Sequence, residues 1–267
     1  MNIGKLIRWN RLFGHPSGKF CSVAVDHFIG YEDGLPDGIR RMGPTLAALV
    51  AAQPDAVTMH KGVATAAWAP YAGKVPLIIQ SMAARADDSA TAAFAEPEDA
   101  MRLGADAFAI SVFLRGPTEG AHLKLVADAV RQAAHFEMPV ICHVYPRDFS
   151  GPAPKVSYRP EDIAWAVHCG MEAGADVIKV PYCGDQAAYT QIVADCPVPV
   201  VCAGGPQTQT LLLALEMMAA VRQTGARGAT IGRNVWSSPN ITAAVGAFKA
   251  VIHDGTAPAA AIAAAGL

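Results

Sequence analysis

Short apolar runs alternate with longer Ala-rich stretches along almost the whole chain. The runs are 21–27 (CSVAVDH), 55–60 (DAVTMH), 75–81 (VPLIIQS), 105–112 (ADAFAISV), 139–145 (PVICHVY), 176–182 (DVIKVPY), 198–204 (VPVVCAG) and 228–233 (GATIGR). Each has the length of a strand, and near-continuous apolarity suits parallel strands buried on both faces. Between them the pattern predicts helices near 40–53, 62–70, 95–103, 119–136, 160–174, 185–194, 207–224 and 239–252. Several end in Gly104-Ala105-Asp106, Gly174-Ala175-Asp176 or Gly225-Ala226-Arg227, where a left-handed glycine closes the helix and the next strand starts at once. Eight strand–helix units in about 250 residues predict an α/β fold, a single-domain (β/α)8 barrel spanning 1–267. An open doubly wound sheet would usually carry a Gly-rich turn after its first strand. Here that turn reads Asp26-His27-Phe28-Ile29-Gly30.

The ends of the chain carry less signal. Segment 1–20 reads as a short N-terminal extension and 254–267 as an Ala-rich tail suited to a terminal helix. Segments 82–94 and 146–159 read as long loops after the third and fifth strands, where barrel active sites are built. Composition supports one large core: 52% of the 267 residues are hydrophobic and 16% charged, which excludes a disordered chain. With 21 Lys and Arg against 23 Asp and Glu there is no basic field for nucleic acid. Six scattered cysteines form no CxxC pair and predict buried thiols rather than structural zinc. No signal peptide is read in MNIGKLIRWNRLFG, and no apolar stretch reaches the roughly 18 residues of a membrane span, so a cytoplasmic protein is expected.

A barrel sets its working residues at the C-terminal ends of its strands. There stand Asp26, His27, His60, Lys61, Gln80, Ser111, His143, Tyr145, Lys179, Gly204, Gly205, Gly232 and Arg233. Lys179 is the sharpest, because Val177, Ile178 and Val180 surround it with apolar side chains. Desolvation disfavours its ammonium form and leaves a neutral, nucleophilic amine, as imine formation requires. The bland alternative is a lysine that turns outward at a strand end. Tyr145, two positions beyond His143 and so on the same face, and Asp26 are candidate proton carriers. Gly204-Gly205 after the seventh strand and Gly232-Arg233 after the eighth suit a substrate phosphate, with glycines permitting close approach and the arginine offering its fork. His27, His60 and His143 suit hydrogen bonds to substrate. With Asp26 they would also make an open metal site, but no His-x-His or His-x-x-x-His spacing is present, and neither metal nor cofactor is expected. Lys61 is expected to pair with a carboxylate.

These residues lie in ordered blocks that resemble the archaeal-type class I aldolases. That group holds class I fructose-bisphosphate aldolase, the aminodideoxyheptulosonate (ADH) synthases and the autoinducer-2 phosphate-processing enzymes. The blocks are Ile3-Gly4-Lys5, Arg11-Leu12-Phe13, Val25-Asp26-His27, Met59-His60-Lys61-Gly62, Tyr145-Pro146-Arg147, Gly174 to Asp185, Cys196 to Val201, Ala203-Gly204-Gly205-Pro206 and Gly232-Arg233-Asn234. The resemblance implies a (β/α)8 barrel that makes or breaks a C–C bond of a phosphorylated ketose or ketone through a lysine imine, without metal. It implies Lys179 as the Schiff-base lysine, Tyr145 as the proton-transferring tyrosine and Asp26 as the active-site aspartate. Gly204, Gly205, Gly232 and Arg233 become the phosphate contacts, and a homo-oligomer is implied. Phe28, Asp148 and Phe113-Leu114-Arg115-Gly116 depart from the group's pattern in loops facing the far end of the substrate. Phe28 adds bulk there, which suits a smaller or less charged distal half. Acyl transfer or a transaldolase reaction on the same imine is the nearest alternative activity, and a non-catalytic sugar-phosphate-binding barrel a more distant one.

Overall fold

The computed structural model describes residues 2–27 and 34–267. Eight parallel strands form the barrel, and we number only these: β1 (Phe20–Ala24), β2 (Ala56–His60), β3 (Leu77–Gln80), β4 (Ala107–Leu114), β5 (Val140–Asp148), β6 (Val177–Val180), β7 (Val200–Ala203) and β8 (Gly228–Ile231). The hydrogen-bonded order β4-β3-β2-β1-β8-β7-β6-β5 is closed by pairing of β4 with β5, so the ring is complete and has no edge. Each strand overlaps the apolar run predicted for it; five lie wholly within it, while β1 starts one residue early and β4 and β5 run two and three residues further. Phe28, the first of the departures, lies outside the described residues.

Alternation along each strand divides the side chains into two cores. Outward residues such as Val57, Ile110, Ile178 and Cys202 pack beneath the helical layer. Inward residues Phe20, Ala56, Ile78, Ala107, Ile141, Val177 and Val201 fill the lower barrel. Further along, the inward layer turns polar, with Ser22, Thr58, Gln80, Ser111, His143, Lys179 and Thr230 all buried. Ser22 donates to Thr230 at 2.8 Å within this layer. The barrel is thus apolar at its floor and chemical at its top.

The helices follow the predicted segments, and several start on capping side chains. Asp185 accepts from Ala188 N at 3.0 Å to open Gln186–Ala194, and Asn240 accepts from Ala243 N at 3.1 Å to open Ile241–Lys249. The Ala-rich tail does form a helix, Pro258–Ala265. The helix Ile3–Leu12 is not predicted by the pattern. Its stability is tertiary: Lys5 pairs with Asp176 at 2.8 Å and Arg11 with Asp106 at 3.1 Å, both aspartates standing just before strands. Leu12 and Phe13 then insert into the inner core and stopper its N-terminal mouth. Nor are the two long loops irregular. Met82–Ala84 and Thr91–Ala93 form an antiparallel hairpin, and β5 runs on to Asp148 to pair with Lys155–Val156. Among the described residues no helix is long and apolar enough to cross a membrane.

Candidate active site

At the C-terminal end of the barrel a cavity of about 410 Å³ is lined by Asp26, His27, Phe113, Tyr145, Lys179, Gly204, Gly205, Gly232 and Arg233, among others. Every residue expected to be catalytic or to hold phosphate therefore borders one space. Lys179 reaches it because Val177 points inward, and the next inward position on β6 is its own. It is only 5% exposed. Burial pushes its ammonium pKa down from 10.5, and the attraction of Asp26 does not restore it. On β5 its partner in register is His143. Burial, and then the charge of Lys179, drive that imidazole well below its usual pKa, so it stands neutral beside the lysine.

Asp26 is 2% exposed, and its carboxylate lies 3.3 Å from His27 Nδ1. Burial pushes its carboxyl pKa up. Contact with His27 and the nearby Lys179 outweigh that and hold it well below the usual carboxylate range. The cavity wall therefore offers an ionised carboxylate and an amine shifted toward neutrality, the pair a proton shuttle needs. Tyr145 adds a phenol from β5, its ring 5.6 Å from Phe113 on β4.

The β7 and β8 ends are built for close approach. A Cβ on Gly204 would meet Ile231 Cα at 2.8 Å, and one on Gly232 would strike the His27 ring at 2.3 Å. Neither position accepts a side chain without displacing its neighbour. Arg233 donates to Gly205 O at 3.2 Å, which ties its guanidinium to the opposite turn. Asn234 does more of this tying than its place in the sequence suggested. Its Nδ2 donates to Gly204 O at 3.1 Å and Pro206 O at 3.0 Å, while its Oδ1 accepts from Thr208 N at 2.9 Å. Tyr158, from the loop after β5, borders the same cavity. Burial pushes its phenol pKa up against the opposing charge of Arg233, leaving a neutral donor.

The histidines separate. His27 lines the cavity, whereas His60 and His143 are not among its lining residues. His60 Nδ1 lies 3.2 Å from Gln80 O, and His143 Nδ1 lies 3.1 Å from Ser111 Oγ, itself an acceptor from Gln80 Nε2. Among the described residues no three His, Cys, Asp or Glu side chains are grouped as metal ligands. Lys61 pairs with Asp99 at 2.9 Å. Of the departing residues, Phe113 faces the cavity, and Arg115 turns away to bond Asp162 at 3.1 Å. Asp148 lies 3.8 Å from Lys155.

Two arginines escape a reading by strand ends. Arg147 lies two residues beyond the apolar run of β5, yet its side chain is fully buried. It donates to Arg115 O at 2.6 Å, Thr118 Oγ1 at 2.8 Å and Asp88 Oδ2 at 2.9 Å. Arg85 lines the cavity from the hairpin after β3. Its only sequence signal was membership of the 82–94 segment.

The sequence pattern of the DeoC/LacD family aldolases matches residues 20–238. A 2-amino-4,5-dihydroxy-6-oxo-7-(phosphonooxy)heptanoate synthase of Streptomyces griseus is 29% identical over 263 residues, covering 97% of this chain and 94% of its own. A 2-amino-3,7-dideoxy-D-threo-hept-6-ulosonate synthase of Halobacterium salinarum is 30% identical over 270 residues, covering 99% and 97%. Among solved structures, an archaeal fructose-1,6-bisphosphate aldolase with its catalytic lysine bound covalently to a carbinolamine superposes with a TM-score of 0.82. It is 26% identical and covers 93% of this chain and 99% of its own. The chain belongs to the DeoC/LacD family and is a Schiff-base-forming, class I aldolase.

Proposed function

We propose that Lys179 is the imine-forming residue and that the donor is a phosphorylated ketose or ketone. The observation that carries this reading is the position of Lys179, buried on an inward strand face, its pKa depressed, at the wall of the cavity that Gly204, Gly205, Gly232 and Arg233 also border. The Streptomyces griseus synthase is named for a phosphonooxy compound and the archaeal aldolase for fructose 1,6-bisphosphate, which agrees with that wall. In the direction of cleavage, neutral Lys179 Nζ adds to the ketone carbon, and Tyr145 and Asp26 carry the protons that turn the carbinolamine into an iminium and water. The hydroxyl of the adjacent fragment then gives up its proton as the C–C bond breaks. The bonding pair passes into the iminium, and an aldehyde leaves a neutral enamine on the lysine. Protonation at carbon and hydrolysis release the ketone and restore the amine. Synthesis is the same sequence reversed. His27 takes a substrate hydroxyl at the cavity wall, while His60 and His143 act from behind it.

The test is borohydride reduction in the presence of dihydroxyacetone phosphate, followed by peptide mass spectrometry. A stable adduct on Lys179 is expected, and none in the Lys179→Met variant. An adduct on another lysine, or turnover in Lys179→Met equal to wild type, would refute the assignment. The reading extends to a homo-oligomer in the cytoplasm. Exposed Ile3, Leu6 and Ile7 on the first helix support the former, and six unpaired cysteines fit a reducing compartment. Light scattering at micromolar concentration checks the assembly.

A further inference from the structure

A second chamber, of about 530 Å³, adjoins the active-site cavity, and its wall is largely apolar, with Leu35, Ile39, Met42, Val63 and Phe94. Among the described residues Asp26 is the one side chain that borders both spaces. His60 borders the second alone, its ring 5.8 Å from that of Phe94. Lys61 also stands there, paired with Asp99 at 2.9 Å. The two chambers thus meet across a carboxylate, with an imidazole on its far side.

Strands β1 and β2 bring these two residues together. Ser22 pairs with Ala56 and Ala24 with Thr58, and Val25 N continues the ladder to Thr58 O at 2.9 Å. Two residues further in that register stand Asp26 and His60, on the same inward face. His60 is in turn paired with Gln80 on β3, and its Nδ1 lies 3.2 Å from Gln80 O. A carbonyl oxygen only accepts, so Nδ1 carries the hydrogen, and Nε2 of the neutral ring is left as an acceptor. Among the described residues that Nε2 is buried and makes no hydrogen bond. An unmet acceptor is costly in an interior, and here it faces the chamber that Asp26 shares.

We propose that His60 stores the proton that Asp26 takes from the bound donor, and returns it through Asp26 later in the same turnover. This rests on the reading above, in which Lys179 holds the donor as an imine and Asp26 carries protons. In synthesis the C–H beside the iminium breaks, its electron pair neutralises the iminium as an enamine, and the proton forms an O–H on Asp26. That O–H breaks as an N–H forms at His60 Nε2. The carboxylate is restored, and the positive charge moves to the imidazole, whose Nδ1–H stays on Gln80 O. When the new C–C bond forms, the proton returns through Asp26 to the oxygen of the incoming aldehyde. Cleavage is the reverse. Asp26 needs such a partner. Burial pushes its carboxyl pKa up, but His27, Lys179 and His60 together hold it well below the usual range, so alone it is a weak base. An imidazole is ordinarily the stronger base of the two. His60 acts through Asp26 and not on the substrate, and is in that sense a positioning residue.

The experiment uses the full chain with dihydroxyacetone phosphate and two readouts. Borohydride trapping on Lys179 reports the imine. Reduction of hexacyanoferrate(III), which oxidises the enamine before it is reprotonated, reports proton removal. His60→Gln keeps a hydrogen-bonding side chain that cannot hold a proton. His60→Ala opens the vacated space into the chamber, which then has room for a free imidazole. Both variants are expected to form the Lys179 adduct and yet reduce the oxidant about 10²- to 10³-fold more slowly than wild type. Added imidazole is expected to restore His60→Ala saturably, by roughly tenfold or more, but not His60→Gln, and substituted imidazoles in the order of their basicity. A His60→Gln rate equal to wild type overturns the proposal, because a hydrogen bond then suffices. So does a His60→Ala variant that forms the adduct and ignores imidazole, or a rescue indifferent to basicity, which marks a filled hole. Loss of the adduct in both variants overturns it as well, since His60 would then serve imine formation or folding. In each of these cases an adduct in wild type leaves the donor assignment standing. Absence of any adduct in wild type overturns that assignment and this proposal with it.

Discussion

Lys179 binds a proton readily in the unfolded chain and less readily in the folded one. Because its folded pKa is lowered from 10.5, the unfolded state holds more protons as pH drops below that value. Folding stability attributable to this residue therefore falls with falling pH, down to its folded pKa, and levels off beneath it. Lys179→Met is expected to lose the imine and yet melt about 2–4 °C higher than wild type near neutral pH, the shift that follows from roughly 1 kcal/mol. A lower melting point, by calorimetry, would contradict a strained lysine. The same shift sets the acid limb of kcat/KM for the donor below 10.5, with the rate falling as pH drops through it. Tyr145→Phe removes the proposed proton carrier and leaves the ring, so kcat should fall about 10²- to 10⁴-fold with KM little changed. Lys179, Tyr145 and Asp26 were legible because a charged or hydroxylated side chain at the end of an apolar strand contradicts its surroundings. Arg85 was not, since an arginine in a polar hairpin contradicts nothing. The histidines were legible as strand-end residues, but which of them borders the cavity depends on tilt and side-chain packing, which no spacing encodes.

The loops after β7 and β8 work as one element because Asn234 joins them. Asn234→Ala would remove its four side-chain hydrogen bonds and free the Gly204–Pro206 turn from Thr208. The expected result is a KM for phosphorylated donor raised about tenfold, as one charge-assisted contact loosens, with a smaller effect on kcat. Comparable KM for phosphorylated and unphosphorylated donors in wild type would instead remove the phosphate from this end. Both long loops resolve into short β pairs, and their pairing partners are held by Arg147 and Pro146, as in Ser157 N to Pro146 O at 2.8 Å. Such pairing is invisible in segments rich in Pro, Ser and Ala, because tertiary contacts rather than alternation fix them. The eight strands were legible for the opposite reason: burial on both faces keeps them mostly apolar, with polar side chains gathered in the inward layer toward their C-terminal ends. The helix Ile3–Leu12 escaped because its charged residues answer to aspartates about a hundred and more positions away.

Across the whole molecule, stability and chemistry occupy opposite ends of the barrel. Leu12, Phe13 and Phe20 close the lower end, with Phe13 and Phe20 rings 5.1 Å apart. Leu12→Ala should cost about 2–5 kcal/mol in denaturant unfolding while leaving KM unchanged, because the cavity it opens is far from the lysine. Loss of donor affinity in that variant would show the two ends to be coupled. The closed ring and its polar upper layer were foreseeable from eight alternating units, whereas the stopper was not, since a chain reads as neither floor nor lid until it is folded. That stopper has a kinetic consequence. With the floor sealed, the described residues leave the cavity open at the C-terminal end of the barrel, an entrance that donor, aldehyde and the water that ends the cycle would share. While an aldehyde stands in it, the enamine behind is shielded from that water, so early hydrolysis is checked by the queue at the entrance.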